Sequence, residues 1–169
     1  MKLIDIEKNV YRKNLNRVIV CFIASFALLA VLFGQLFIQV LATPSGDNFW
    51  FNFSGVVLAL VICLSLVNKF KHHPFMTEIY YVWQLKQQIN FIYRKLTKIK
   101  SSAFNDVDIE ALTILDFYYK ACEKLYLLDD NTITLSSLKK EQKELEQLLR
   151  SYNLSVENHQ YQQSLLAKF

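Results

Sequence analysis

Residues 18–42, VIVCFIASFALLAVLFGQLFIQVLA, and 49–67, FWFNFSGVVLALVICLSLV, decide the fold, because each is an apolar run with no charged side chain. At about 1.5 Å of helical rise per residue they measure roughly 37 Å and 28 Å, against a hydrocarbon core of about 30 Å. Both are long enough to span a bilayer, and the short segment 43–48, TPSGDN, joins them as the turn of a transmembrane hairpin. A soluble core helix is also apolar all round, but two in succession ask for a larger soluble domain than the rest of this chain supplies.

Flanking charge orients the hairpin. Lys2, Lys8, Arg12, Lys13 and Arg17 precede the first run, Lys69 and Lys71 follow the second, and the turn has no Lys or Arg. The positive-inside rule then puts both termini in the cytoplasm, and Phe49, Trp50 and Phe51 suit the aromatic belt at the outer boundary. Val40, Leu41 and Ala42 resemble a signal-peptidase site, yet the first run far exceeds a signal h-region of about 7 to 15 residues and reads as a retained anchor.

Hydrophobic residues make up 53% of the chain, and the formal charge of +4 is small beside its local clusters, so net charge points to no polyanionic partner. Cys21, Cys63 and Cys122 form no disulfide framework and read as small apolar side chains.

Residues 1–17 mix Leu3, Ile4, Ile6, Val10 and Leu15 with the basic residues and read as a short amphipathic approach to the inner surface, the alternative being a frayed tail. Within the hairpin (18–67), Ala27, Ala30 and Gly34 face Gly55, Ala59 and Cys63 as small-residue stripes that permit close helix approach. No intramembrane residue is ionisable, which disfavours a proton relay or coupled transport.

Residues 68–152 read as a cytoplasmic helical bundle. Phe75, Ile79, Val82, Leu85, Ile89, Ile92, Leu96 and Ile99 alternate by fours and threes, a coiled-coil-like seam along one long helix. A break is expected at 101–105, with Asn105 or Asp106 capping a second helix whose acidic first turn holds Asp108 and Glu110. That helix carries a wide stripe, Val107, Ala111, Leu115, Tyr118, Cys122 and Leu125, suited to more than one neighbour. Asp129, Asp130 and Asn131 turn the chain into a third helix, starting near Ser136 or Ser137, whose Glu141, Glu144 and Glu146 can lie beside Arg94, Lys95, Lys98 and Lys100. Residues 153–169 read as a polar, loose or short helical tail.

Candidate chemistry is thin. His72 and His73 are adjacent and diverge by about 100° on a helix, a poor pair of metal ligands. Asp129 to Asn131 lack the spacing and glycine of a calcium loop. Cys122 lies on an apolar face with no nearby histidine, and Asp106, Asp108 and Glu110 read as helix-capping charges. No catalytic, cofactor or metal residue is therefore assigned. The aromatic and basic residues Tyr80, Trp83, Lys86, Tyr93, Arg94, Lys95 and Lys98 are the candidate surface for a protein partner or anionic lipid headgroups, with nucleic acid disfavoured by the nearness of the second span.

The stretches YRKNLNRVIV (11–20), LFGQL (32–36) and HPFMTEIYYVWQLKQQINFIYRKL (73–96) resemble a domain-of-unknown-function family of small inner-membrane proteins of gammaproteobacteria. The resemblance implies a bacterial inner-membrane location and a two-span layout, and it brings no catalytic residues. The expected protein is all-α: a two-helix hairpin, then a bundle of about three helices. Its expected role is a non-enzymatic interaction or assembly factor acting on a membrane-protein partner or on a second copy of itself. The alternative is a small oligomeric transporter or channel subunit lined by Gln35, Gln39, Asn52 and Ser65.

Overall fold

No proline interrupts residues 8–41, and once nucleated a helix propagates cheaply. The computed structural model, which describes residues 1–41, 48–156 and 160–169, accordingly carries the basic approach and the first apolar run as one helix, α1, Lys8–Leu41. The expected amphipathic segment 1–17 is thus divided. Its second half is the opening of α1, and Met1–Ile6 pack in a different unit. The second apolar run is α2, Phe49–Phe70. Apart from Asn48, the expected turn lies outside the described residues, as does Ala42.

All elements are helical, and no strand occurs among the described residues. After α2 come a 3-10 turn, Pro74–Met76, then α3, Thr77–Tyr93, α4, Leu96–Asn105, α5, Ile109–Leu128, α6, Leu135–Ser151, and a 3-10 segment, Gln163–Lys168. The chain divides into two units, Glu7–Tyr80 and Met1–Ile6 with Tyr81–Phe169.

In the first unit α1 and α2 pack along buried Gly34, Gly55, Ala59 and Cys63. A Cβ built on Gly55 would lie 2.5 Å from the Gly34 nitrogen and 2.8 Å from its Cα, so the two backbones touch where both side chains are hydrogen. Ala27 does not share the stripe. It is exposed, and the half-buried residues at that level are Phe26, Leu29 and Ala30. A straight helix drifts about 20° per heptad, which moves the contact off a strict seven-residue repeat.

Both helices are long and apolar enough to cross a membrane, and only 6% of the most apolar stretch of α1 and 17% of that of α2 is buried. A soluble core helix of this composition would be mostly covered. His73 leaves the helical region before Pro74, as the proline ring requires, and its Nδ1 accepts from the Phe75 N–H.

The other unit is built around α5, where Ala111 to Leu115, Phe117, Tyr118, Tyr119, Ala121 and Cys122 are all buried. A helix apolar on nearly every side must be surrounded. Leu85, Ile92, Ile99 and Ala103 from α3 and α4, Leu138 and Leu145 from α6, and Tyr161 and Leu166 from the C-terminal segment belong to the same core. Thr113, the buried polar residue there, donates its hydroxyl to the Ile109 carbonyl at 2.8 Å.

Four departures from expectation follow from packing. The long helix is two, broken at Arg94 and Lys95, although no glycine or proline lies there. Lys95 adopts φ −115° and ψ 4°, and its ammonium donates to the Leu166 carbonyl at 2.8 Å. The seam survives the break, since none of its eight positions from Phe75 to Ile99 is exposed.

Second, α4 runs through the expected break at 101–105, held by buried Ile99 and Ala103 and by a bond from the Asn105 amide to the Ser101 hydroxyl. The bundle therefore has four helices where about three were expected. Third, the cap of α5 is Asp108, whose carboxylate accepts from the Glu110 and Ala111 N–H groups at 2.8 and 3.2 Å. The shift of two or three residues arises because Val107 takes φ 52° after α4, as Asp130 and Asn153 take φ 56° and 53° after α5 and α6. Each left-handed residue lets the chain turn back on its carbonyls, as in Asn131 N–H to Tyr126 O and Leu154 N–H to Leu149 O.

Fourth, the C-terminal residues, where Gln163–Lys168 form the short helical alternative, are docked and not loose. The Tyr161 ring stacks on Phe117 with centroids 4.1 Å apart, and its hydroxyl donates to Gln88 Oε1 at 3.1 Å. Residues 1–6 dock on this unit as well. Tyr81 Oη accepts from the Ile4 N–H at 3.0 Å and donates to the Lys2 carbonyl at 3.1 Å, while Lys124 holds the Asp5 carboxylate at 2.7 Å and the Ile4 carbonyl.

Candidate interaction surface

The seam turns one side of α3 into the core and leaves the other outward. On that outer side Trp83, Gln87, Asn90 and Arg94 recur at steps of four and three, with Lys86 and Tyr93 on the flank, and all six are exposed. Trp83 keeps 51% and Tyr93 64% of its surface accessible, large values for residues that usually bury most of theirs. Lys98 is exposed on α4.

The seven residues read from sequence as a contact surface differ in exposure. Tyr80, one turn before Trp83 on α3, is half-buried, its ring edge-on to His72 at 5.3 Å and under the Lys71 ammonium at 5.7 Å. Lys95 is spent on the Leu166 carbonyl. Lys86 pairs with Asp129 at 3.0 Å, an exposed bridge of about 0 to 1 kcal/mol that leaves its charge on the surface. The exposed remainder is Trp83, Lys86, Tyr93, Arg94 and Lys98. The expected acidic counterpart forms in part, since Lys100 meets Glu141 at 2.9 Å and stands over the Tyr119 ring at 5.9 Å.

Groups that could carry chemistry are otherwise engaged. Burial pushes the Cys122 thiol up to about 11, with Glu141 adding to the shift, so it is a thiol at neutral pH. Asp108 caps α5 and, with Glu110, holds Lys168; burial opposes ionisation of Asp108, but Lys168 and the two backbone N–H groups outweigh it and lower its pKa. Tyr161 is raised to about 12 by burial.

A polar hollow of about 340 Å³ lies between α5 and α6, lined by Asp116, Lys120, Glu123, Lys139, Gln142 and their neighbours. Burial raises the Asp116 pKa against the pull of Lys120, which sits 2.8 Å away, and Gln142 bridges to Glu123 at 3.0 Å. Asp116 and Glu123 are therefore both engaged, the one with a lysine and the other with an amide. Among the described residues no three His, Cys, Asp or Glu side chains gather as a metal site, and His159 lies outside them. The Glu78 carboxylate, in the first turn of α3, has one shielded oxygen without a hydrogen-bond partner.

Of the residues expected for a channel, Gln35 and Gln39 are exposed about 40° apart on α1, the Ser65 hydroxyl is returned to its own helix through the Val61 carbonyl at 2.7 Å, and Asn52 and Ser65 lie about 140° apart around α2.

What sequence reading missed are the two tyrosines that organise the second unit. Tyr161 stands alone among glutamines and polar residues, where a large aromatic is itself a sign of burial. Tyr81 lies beside Tyr80 and Trp83 and is indistinguishable from them by composition.

Compared with known proteins, residues 1–166 match the family model described as "Protein of unknown function (DUF3087)". No curated protein and no solved structure matches the chain.

Proposed function

We propose, starting from the chain's membership of the DUF3087 family, that this protein is a membrane-anchored, non-enzymatic interaction or assembly factor. Helices α1 and α2 anchor it in the inner membrane of a bacterium as a two-span hairpin, and the helices after them work in the cytoplasm. Insertion is supported by the apolar surface that both helices leave uncovered, which in water would be a very large hydrophobic patch. Orientation is supported by Lys8, Arg12, Lys13 and Arg17 before the first apolar run and Lys69 and Lys71 after the second, which the positive-inside rule assigns to the cytoplasm.

The interaction reading rests on one observation: Trp83 and Tyr93 on the outer side of α3, and Arg94 just past its end, stand exposed. Trp, Tyr and Arg are the residues that dominate protein interfaces, because each covers much area with little rotamer entropy or with several directed donors. A protein partner fits them better than headgroups alone, which would need only the cations. Replacing Trp83 and Tyr93 together by alanine is expected to abolish stoichiometric co-purification of a membrane partner while leaving the helical signal intact. Unchanged association would refute the reading. The channel alternative is tested by flux from liposomes holding the purified protein.

A further inference from the structure

The hairpin unit contains an apolar hollow of about 190 Å³, lined by Val18, Phe22 and Ser25 of α1, Cys63 and Val67 of α2, and Met76 beyond the elbow. A second hollow, of about 330 Å³, is lined by Phe70, His73, Phe75 and Met76. The two adjoin at the shared lining residues Phe70 and Met76, an apolar groove region at this end of the hairpin. The groove lies where α1 begins its apolar run and α2 ends its own. Arg17, Lys69 and Lys71 adjoin that end in sequence, and Lys13, Arg12 and Lys8 follow outward along α1 over about 15 Å, against the acids Glu7 and Glu78.

We infer that this groove holds one anionic phospholipid of the cytoplasmic leaflet, its acyl chain along Phe22, Val67 and Met76 and its phosphate at the basic rim. The inference rests on the membrane placement proposed above. An apolar lining with one hydroxyl is a poor site for water, which needs two to four polar partners. A hollow left empty would forfeit the dispersion contacts of its walls. In a bilayer the available filler is an acyl chain, and the side opening admits one without unpacking the helices. The excess of cations selects the headgroup, since basic residues at the membrane surface attract anionic lipid.

The test uses the full chain reconstituted in bilayers of equal phosphatidylethanolamine and phosphatidylglycerol, extracted gently and weighed by native mass spectrometry. One phosphatidylglycerol retained per chain is expected. Ser25→Phe, which fills the groove from its rim, should lose the retained lipid, and Cys21→Phe provides a second filling variant at a neighbouring lining position. Lys69→Gln with Lys71→Gln should keep a lipid but lose roughly tenfold or more of the preference for phosphatidylglycerol, at about tenfold per 1.4 kcal/mol and about 1 kcal/mol per basic residue. No retained lipid, equal retention by both filling variants, or equal retention of the two lipids by the wild-type chain overturns the inference. Vesicle flotation keeps the two readings apart: a chain that floats but retains no lipid loses only the groove, whereas one that does not float loses the membrane placement too.

Discussion

Substituting Gly55 by alanine puts a methyl carbon 2.5 Å from the Gly34 nitrogen, 2.8 Å from its Cα and 3.0 Å from the Phe33 carbonyl carbon, all backbone atoms that no rotamer change can move. Ordinary contact begins near 3.4 Å, so α1 and α2 must separate locally by about 0.9 Å. Overpacking of this kind costs about 1 to 3 kcal/mol. Gly34→Ala is the matched control. Its methyl meets the Asn52 side-chain oxygen at 2.8 Å, the far end of a side chain that can swing away, and its nearest backbone neighbour is at 3.6 Å. Both substitutions gain the same helix propensity, roughly 1 kcal/mol, which cancels in the comparison. Gly55→Ala is therefore expected to be less stable than Gly34→Ala by about 1 to 2 kcal/mol, the lower part of the overpacking range because a two-helix contact can slide. SDS titration of each variant in mild detergent micelles, followed by circular dichroism and fluorescence, reads the difference as a lower midpoint for Gly55→Ala. Equal midpoints, or a more stable Gly55→Ala, would show that the helices do not meet at these glycines.

Three further outcomes concern the second unit. Tyr161→Ala removes a fully buried ring stacked on Phe117 and should destabilise by about 3 to 5 kcal/mol, with hydrogen exchange in residues 160–169 rising to that of a free tail; retained protection would refute the docking. Asp108 has a lowered pKa, so its contribution is present above the ordinary value of 3.8 and is lost as pH falls through the folded value. Asp108→Asn keeps a capping side chain but not the Lys168 pair, and its stability should fall less than the wild type's between pH 6 and 3 on an acid titration. Val107 holds φ 52° with a β-branched side chain, so Val107→Asn should be more stable than Val107→Ala by about 0.5 to 1 kcal/mol in thermal denaturation, because asparagine tolerates the left-handed region.

Periodicity carried most of the architecture. Of the eight seam positions from Phe75 to Ile99, Val82, Leu85, Ile92 and Ile99 are buried and the rest half-buried, and the width of the Val107–Leu125 stripe anticipated a helix surrounded by others. What periodicity could not register were events with no local cause. The break at Arg94 and Lys95 contains neither glycine nor proline, and the lysine that stands at it reaches a carbonyl 71 positions away. Serines and an asparagine at 101–105 look like a terminus, but buried Ile99 and Ala103 carry the helix through them. The cap moved to Asp108 because Val107 accepts a left-handed conformation that its side chain disfavours. The exposed surface was legible by residue type and only partly by place. Composition joined Tyr80 and Lys95 to it, whereas a ring contact with His72 and a bond to Leu166 leave both half-buried.

The measurement that tests the account most directly is photo-crosslinking in intact membranes, with a benzophenone side chain in place of Trp83. The account predicts that the chain resists alkaline extraction and forms one discrete adduct with a membrane protein or a second copy, and that Tyr93→Ala with Arg94→Ala removes it. A chain released by alkali, or one whose position 83 forms no protein adduct that depends on Tyr93 and Arg94, would contradict the membrane-anchored interaction surface.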